Sequence, residues 1–165
     1  MKGEPKVLEN LQQALTMELT AVHQYLLHSH VVADWGLEKL AGEMRDEMQE
    51  ELGHANDLME RIIFLDGEPD VTALGKVGRA QTIKDMFEID LQDEYEARSF
   101  YTKAATEADQ LGDIGTRDLF TQLVHDEEGH IDWLETQIAL LNRLGEPIYM
   151  QTQLGANSVD GAAEA

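Results

Sequence analysis

The chain has 165 residues, 42% of them apolar, enough for a single domain with one sizeable core. Thirty-three acidic residues oppose twelve basic ones, and the resulting charge of −21 excludes nucleic acid and anionic membrane as natural partners while favouring cations. No cysteine is present, which removes disulfides, thiolate metal sites and iron–sulfur clusters.

Helical periodicity runs through most of the chain, and β signals are nearly absent. The N-terminus, Met-Lys-Gly-Glu-Pro, lacks the apolar segment of a secretory signal, and no apolar run approaches the roughly 20 residues that span a bilayer, so a cytoplasmic location is expected. A first helix is predicted over about 5–33, with Leu8, Leu11, Leu15, Leu19, Val22 and Leu26 as its apolar face. Asp34-Trp35-Gly36 ends it. A second helix covers about 37–65 and stops at Asp66-Gly67-Glu68-Pro69. Residues 66–81, with Gly67, Pro69, Gly75 and Gly78, read as a long connection. A third helix starts at Thr82, an N-cap with Asp85 three residues on, and ends near Gly112. A fourth spans about 114–144 and is closed by Gly145-Glu146-Pro147. Residues 147–154 form one more short helix, and the small, polar tail 155–165 is expected to be disordered, leaving 1–154 as a single domain.

One repeat organises these elements. Glu18, Glu51 and His54 recur 76 positions later as Glu94, Glu127 and His130. Ala21 and Tyr25 map in the same way onto Ala97 and Tyr101, and Gly53, Leu58 and Ile62 map onto Gly129, Leu134 and Ile138. Positions 18 and 54 are centred on Gly36, and 94 and 130 on Gly112. Folding each hairpin at its own glycine therefore sets its Glu level with the E-x-x-H motif of the antiparallel helix. A helix of about 28 residues is roughly 42 Å long at 1.5 Å per residue. The 16-residue connection can stretch to roughly 50 Å, enough to return along the bundle and set helices two and three parallel. The fold class is thus all-α: a four-helix bundle with a long crossover and a short C-terminal helix.

In E-x-x-H, side chains three apart leave the same helix face one turn apart. Two such motifs and two further Glu give four carboxylates and two imidazoles directed inward, the donor set of dinuclear carboxylate sites in bundles. Two divalent ions would neutralise the four carboxylates, reducing the cost of burying them. Oxygen-rich donors with one imidazole per ion suit iron or manganese better than zinc. Without metal the cluster should retain protons near neutrality, and metal uptake should release them. The metal-free protein should also be the less stable form.

These residues, together with the stretch Asp126-Glu-Glu-Gly-His-Ile-Asp-Trp-Leu-Glu135 and the opening Met-Lys-Gly, resemble bacterioferritin over about residues 1–154. The second histidine, His130, fits this branch better than animal-type ferritins, and a full intrachain set argues against mini-ferritins with sites between subunits. The resemblance implies a ferritin-like bundle assembling into a hollow shell of roughly 24 subunits. Such a shell oxidises Fe(II) with O2 or H2O2 at a two-iron ferroxidase centre in each chain and stores ferric mineral. By position, Glu18 and His54 would hold one iron and Glu94 and His130 the other, with Glu51 and Glu127 bridging. Tyr25, two turns after Glu18, is either a core tyrosine without redox role, the plainer reading, or a partner or electron donor to a ligand. A ferredoxin-type reductant for iron release is a further implied partner.

The family binds haem b at a subunit two-fold axis through a methionine from each chain, and here that position is Leu52, which has no donor atom. Haem is therefore expected to be absent from the homo-oligomer unless a haem-binding paralogous subunit co-assembles. Met48 is a weak substitute and Met59 another; flexible apolar packing is the plainer reading of both. His23, His28, His30 and His125 read as helix-surface residues. Asp46 and Glu50 are candidates for guiding iron on the inner surface, with a solvated face an equal reading. Trp35 and Trp133 read as packing anchors, and Gln151 is a candidate channel-lining residue by analogy. The competing functional reading is a free-standing di-iron or di-manganese peroxidase, catalase or oxygenase of the same fold.

Overall fold

The computed structural model describes residues 1–155. Its helices are α1 (Pro5–Asp34), α2 (Glu38–Phe64), α3 (Ile83–Gln110), α4 (Ile114–Leu144) and α5 (Glu146–Thr152), with no strand among the described residues. Of the predicted tail only Gly155 is described, so the expectation of disorder there lies outside the described residues.

Local chemistry sets the ends. Pro5 opens α1 at a position where its missing N–H costs nothing. Thr82 caps α3 by accepting the Asp85 N–H at 3.0 Å, as the sequence suggested. Asp113 caps α4 by accepting the Thr116 N–H at 3.0 Å, and Arg61 of α2 reaches over to the same carboxylate. The hairpin turns hold Gly36 at φ 81° and Gly112 at φ 75°, the left-handed region that only glycine enters without strain. Both glycines lie at the sequence positions about which the repeat was centred.

Helices α1 and α2 form one hairpin and α3 and α4 the other, and the hairpins meet along α1 and α3. Tyr25 of α1 bonds Glu94 of α3, and Tyr101 of α3 bonds Glu18 of α1. As one chain index rises the other falls, so α1 and α3 are antiparallel and α2 is parallel to α3. The connection, residues 65–82, must therefore travel the length of the bundle, and it is pinned along α1 as it goes. Gln12 exchanges hydrogen bonds with the Asp70 backbone, Thr20 accepts from the Gly75 N–H, and Gln24 exchanges two bonds with the Gly78 backbone.

The apolar interior is divided into two clusters. One gathers Val31, Leu37, Met44, Phe87, Leu134 and Tyr149; the other gathers Val7, Leu11, Leu15, Leu58, Tyr101 and Phe120. The face assigned to α1 from its leucines needs correction. Leu11 and Leu15 are buried, but Leu8, Leu19 and Val22 are only half-buried and Leu26 is exposed. The buried face instead carries Asn10, Glu18, Gln24, His28 and Ser29 among its apolar residues, so counting leucines selects the wrong stripe.

Candidate metal centre

Each of the four long helices contributes to a buried polar cluster. Glu18 comes from α1, Glu51 and His54 from α2, Glu94 from α3, and Glu127 and His130 from α4. All six are buried, none more than 7% exposed. They divide into two overlapping groups whose donor atoms lie within 4.8 Å of one another: Glu18, Glu51, His54 and Glu127 in one, Glu51, Glu94, Glu127 and His130 in the other. Glu51 and Glu127 belong to both.

The imidazoles turn the same edge inward. His54 Nδ1 is 3.0 Å from Glu51 Oε2, 3.6 Å from Glu18 Oε2 and 3.9 Å from Glu127 Oε1. His130 Nδ1 is 2.9 Å from Glu127 Oε2, 3.2 Å from Glu51 Oε1 and 3.6 Å from Glu94 Oε2. Several of these contacts do not satisfy the atoms involved. Glu51 Oε1, Glu127 Oε2 and both ring nitrogens of His130 are buried without a hydrogen-bond partner. Of these, Glu51 Oε1, Glu127 Oε2 and His130 Nδ1 face one another, a costly arrangement in a dry interior that a cation among them would satisfy, while His130 Nε2 faces Glu47 and Glu50. The residues present therefore fit two oxygen- and imidazole-bound divalent ions.

Burial raises Glu18 well above the usual carboxylate range, helped by the neighbouring Glu51 charge. Burial likewise lifts Glu127 to about 10, against the opposing pull of His130. Glu51 goes the other way: desolvation would raise it, but the facing His130 and His54 imidazoles prevail and hold it low. Both imidazoles resist desolvation through their carboxylate partners. His54 is raised to about 11, chiefly by Glu18 and Glu51, and His130 is raised by Glu127, Glu51 and Glu94. At neutral pH the metal-free cluster thus keeps protons on Glu127 and both imidazoles, with Glu18 shifted in the same direction and Glu51 ionised between the rings.

The surroundings repeat the two-fold pattern. His54 Nε2 lies 3.5 Å from Asp126 of α4, and His130 Nε2 lies 3.6 Å from Glu50 of α2; positions 50 and 126 are again 76 apart. Glu47 adds a third carboxylate 3.3 Å from His130 Nε2, and burial lifts it to about 7. Such outer carboxylates orient imidazole ligands and raise their basicity. Sequence reading passed over Asp126, Glu47 and the Tyr101 bond, although the 76-residue register pointed to Asp126 and Tyr101. Asp46 is exposed, as is Glu50 for the most part, and only Glu50 of that pair approaches a cluster residue.

One sequence reading is overturned. His28 is fully buried and not a surface residue. Its Nδ1 lies 3.1 Å from Asp90 Oδ2 and its Nε2 lies 2.7 Å from Gln24 Nε2. Because the Gly78 backbone fixes the Gln24 amide, Nε2 of His28 must accept, and Nδ1 carries the proton donated to Asp90. His23, His30 and His125 are exposed, as read. Trp35 and Trp133 are half-buried against the Phe87 cluster, Trp133 meeting Phe87 edge-on at 5.9 Å. Gln151 is exposed on α5. Leu52 is 44% exposed, whereas Met48 and Met59 are half-buried against opposite apolar clusters.

A cavity of about 210 Å³ opens beside the crossover and reaches Glu18, Glu51, Glu94 and Glu127 past Thr20, Gln24 and Lys76. Among the described residues no helix is long and apolar enough to cross a membrane.

The family model for a ferritin-like domain matches residues 8–144. A bacterioferritin of Brucella melitensis is 46% identical over 162 residues, covering 98% of this chain and 99% of its own. Among solved structures, a Rhodobacter capsulatus bacterioferritin described with a metal-free dinuclear site and a haem iron superposes with a TM-score of 0.92. It is 41% identical, and the match covers 94% of this chain and 97% of that one. A Mycobacterium tuberculosis bacterioferritin superposes with a TM-score of 0.93 at 38% identity, covering 95% of this chain and 99% of that one.

Proposed function

This chain belongs to the bacterioferritin family of ferritin-like proteins, and from that premise we propose that it oxidises Fe(II) at a centre formed within each chain and stores the product as ferric mineral inside a hollow shell of its own copies. The observation that carries the reading is the pair of overlapping four-residue groups, which share Glu51 and Glu127 and leave buried atoms unsatisfied. Glu18 and His54 would hold one iron and Glu94 and His130 the other, with Glu51 and Glu127, which belong to both groups, serving both. When bound, the irons supply the electrons that reduce O2 or H2O2.

The chain's own residues do the rest. Four carboxylates match the charge of two divalent ions, so the filled interior is neutral. Asp126 flanks the outer edge of His54, and Glu47 and Glu50 that of His130, which favours Nδ1 turned toward the ions. Protons carried by Glu127 and the imidazoles leave as metal enters. The cavity beside Thr20 and Gln24 supplies a route from the outer surface. Asp90, Asp93, Glu94 and Glu96 line it beside the apolar Met17, Ala21 and Ala97, and the carboxylates are suited to passing a cation. The likeness to bacterioferritins over nearly the whole chain is the reason to prefer storage over a free-standing oxygenase of the same fold.

The test is an anaerobic Fe(II) titration followed by oxygen, with ferric absorbance read against iron per chain. A fast phase saturating at two irons per chain, then slower soluble mineral growth, is the expected result. A fast phase without further uptake would transfer the reading to a free-standing di-iron enzyme, and no fast phase would end it.

Haem does not fit the residues at its usual place. Leu52 offers no donor, and Met48 and Met59 pack toward the interior rather than beside it. Protein purified from this chain alone is expected to lack a stoichiometric Soret band, and Leu52→Met is expected to gain one on incubation with haem. A stoichiometric band in the unaltered protein would show another ligand at work.

A further inference from the structure

The repeat extends to two phenols, and they cross between the hairpins. Tyr101 of α3 donates to Glu18 Oε1 of α1 at 2.5 Å, and Tyr25 of α1 donates to Glu94 Oε1 of α3 at 2.6 Å. In both carboxylates the other oxygen faces the imidazole of its own hairpin: Glu18 Oε2 is 3.6 Å from His54 Nδ1, and Glu94 Oε2 is 3.6 Å from His130 Nδ1. Each terminal carboxylate therefore has one oxygen engaged by a tyrosine and one left for the centre. Tyr25 packs in one apolar cluster and Tyr101 in the other, so the phenols brace the centre from its two ends. Tyr101 is fully buried and fixed by rings on both sides, stacked on Phe120 at 5.9 Å and edge-on to Phe100 at 5.9 Å.

We propose that Tyr101 is a positioning residue for the Glu18 metal position, the counterpart of Tyr25 at the Glu94 position, so that each ion's terminal carboxylate is held in a single orientation by a phenol of the opposite hairpin. This rests on the ligand assignment above. Satisfying a buried phenol would need only some acceptor. Here each phenol takes Oε1 and leaves Oε2 toward the histidine, in both halves of the repeat. Removing the hydroxyl frees Oε1 and lets the carboxylate turn, which loosens the metal position that it serves and leaves the other in place.

The test uses the assembled, metal-stripped protein and Co(II), which avoids oxidation. Tyr101→Phe and Tyr25→Phe keep the rings, and an unchanged melting temperature of the stripped variants confirms intact packing. Wild type is expected to take two Co(II) per chain. Tyr101→Phe is expected to weaken the Glu18/His54 position by about 10–100-fold. Crystals with one Co(II) added per chain would then show anomalous signal mainly at Glu94/His130. Tyr25→Phe should give the reverse distribution. Filling of both positions in step at wild-type affinity, or equal weakening of both in each variant, would overturn the proposal. Absence of a bound pair in wild type would instead remove the ligand assignment and this inference with it.

Discussion

Glu51→Gln and Glu127→Gln are expected to abolish the stoichiometric fast phase and to lower initial Fe(II) oxidation by roughly 100-fold or more, the upper end of what outer-shell changes alone achieve. Glutamine keeps the volume and one acceptor oxygen but loses the charge and the second oxygen, both of which a bridge requires. Each of these residues belongs to both donor groups, whereas Glu18 and Glu94 each belong to one. Glu18→Gln should therefore weaken one position and leave a slowed but measurable reaction. The two bridging variants should differ in metal-free stability. Glu127, raised to about 10, is already neutral in the empty site, so glutamine mimics its resting form and the melting temperature should scarcely move. Glu51 is ionised between two protonated imidazoles, and Glu51→Gln strands those charges in the interior, so its metal-free form should melt lower. Stopped-flow ferric absorbance and scanning calorimetry of the stripped proteins give both readouts. Equal rates for Glu18→Gln and Glu51→Gln would remove the shared role.

Much of this centre was legible in the sequence because a duplicated hairpin writes its chemistry twice. The 76-residue register picked out six residues that the fold then gathers, and the midpoints at Gly36 and Gly112 located both turns. Hydropathy was a poorer guide. Leu19, Val22 and Leu26 suggested a core stripe on α1, yet the buried face beside it includes the polar Glu18, Gln24 and His28. Apolar character alone does not separate interior from outer surface. His28 was assigned to the surface because it has no repeat partner; what buries it is a pairing with Asp90 across 62 residues, which no local pattern encodes. The Tyr101 bond was missed for the same reason, and the Tyr25 bond was only one of two readings. Their residue types repeat, but which helix each phenol reaches is settled only when α1 meets α3.

Affinity of the metal-stripped protein for a pair of divalent ions should rise steeply with pH across the neutral range. Ligation needs every donor deprotonated, yet in the empty site Glu18 is raised, Glu127 stands at about 10, His54 at about 11, and His130 is raised as well. Glu127 and the two imidazoliums thus give up about three protons for each pair bound, with Glu18 shifted the same way, so the logarithm of the pair constant should climb by about three per pH unit near neutrality. The slope should flatten as pH approaches the values at which Glu127 and His54 ionise unaided. Stability runs the opposite way in the empty protein. Glu127 unfolded has its ordinary value of 4.5, so from there upward the folded, metal-free chain binds more protons than the unfolded one, and its stability falls as pH rises toward about 10. His54, raised from 6.5 to about 11, contributes stability that is full below 6.5 and is lost over that upper range. In the loaded protein metal charge stands where those protons stood, and that loss is absent. The melting-temperature difference between Co(II)-loaded and stripped protein should therefore be larger at pH 9 than at pH 6. Titration calorimetry in two buffers of different ionisation enthalpy counts the released protons directly. A count near zero would mean that the empty site holds its carboxylates ionised, and the charge distribution assigned to it would fail.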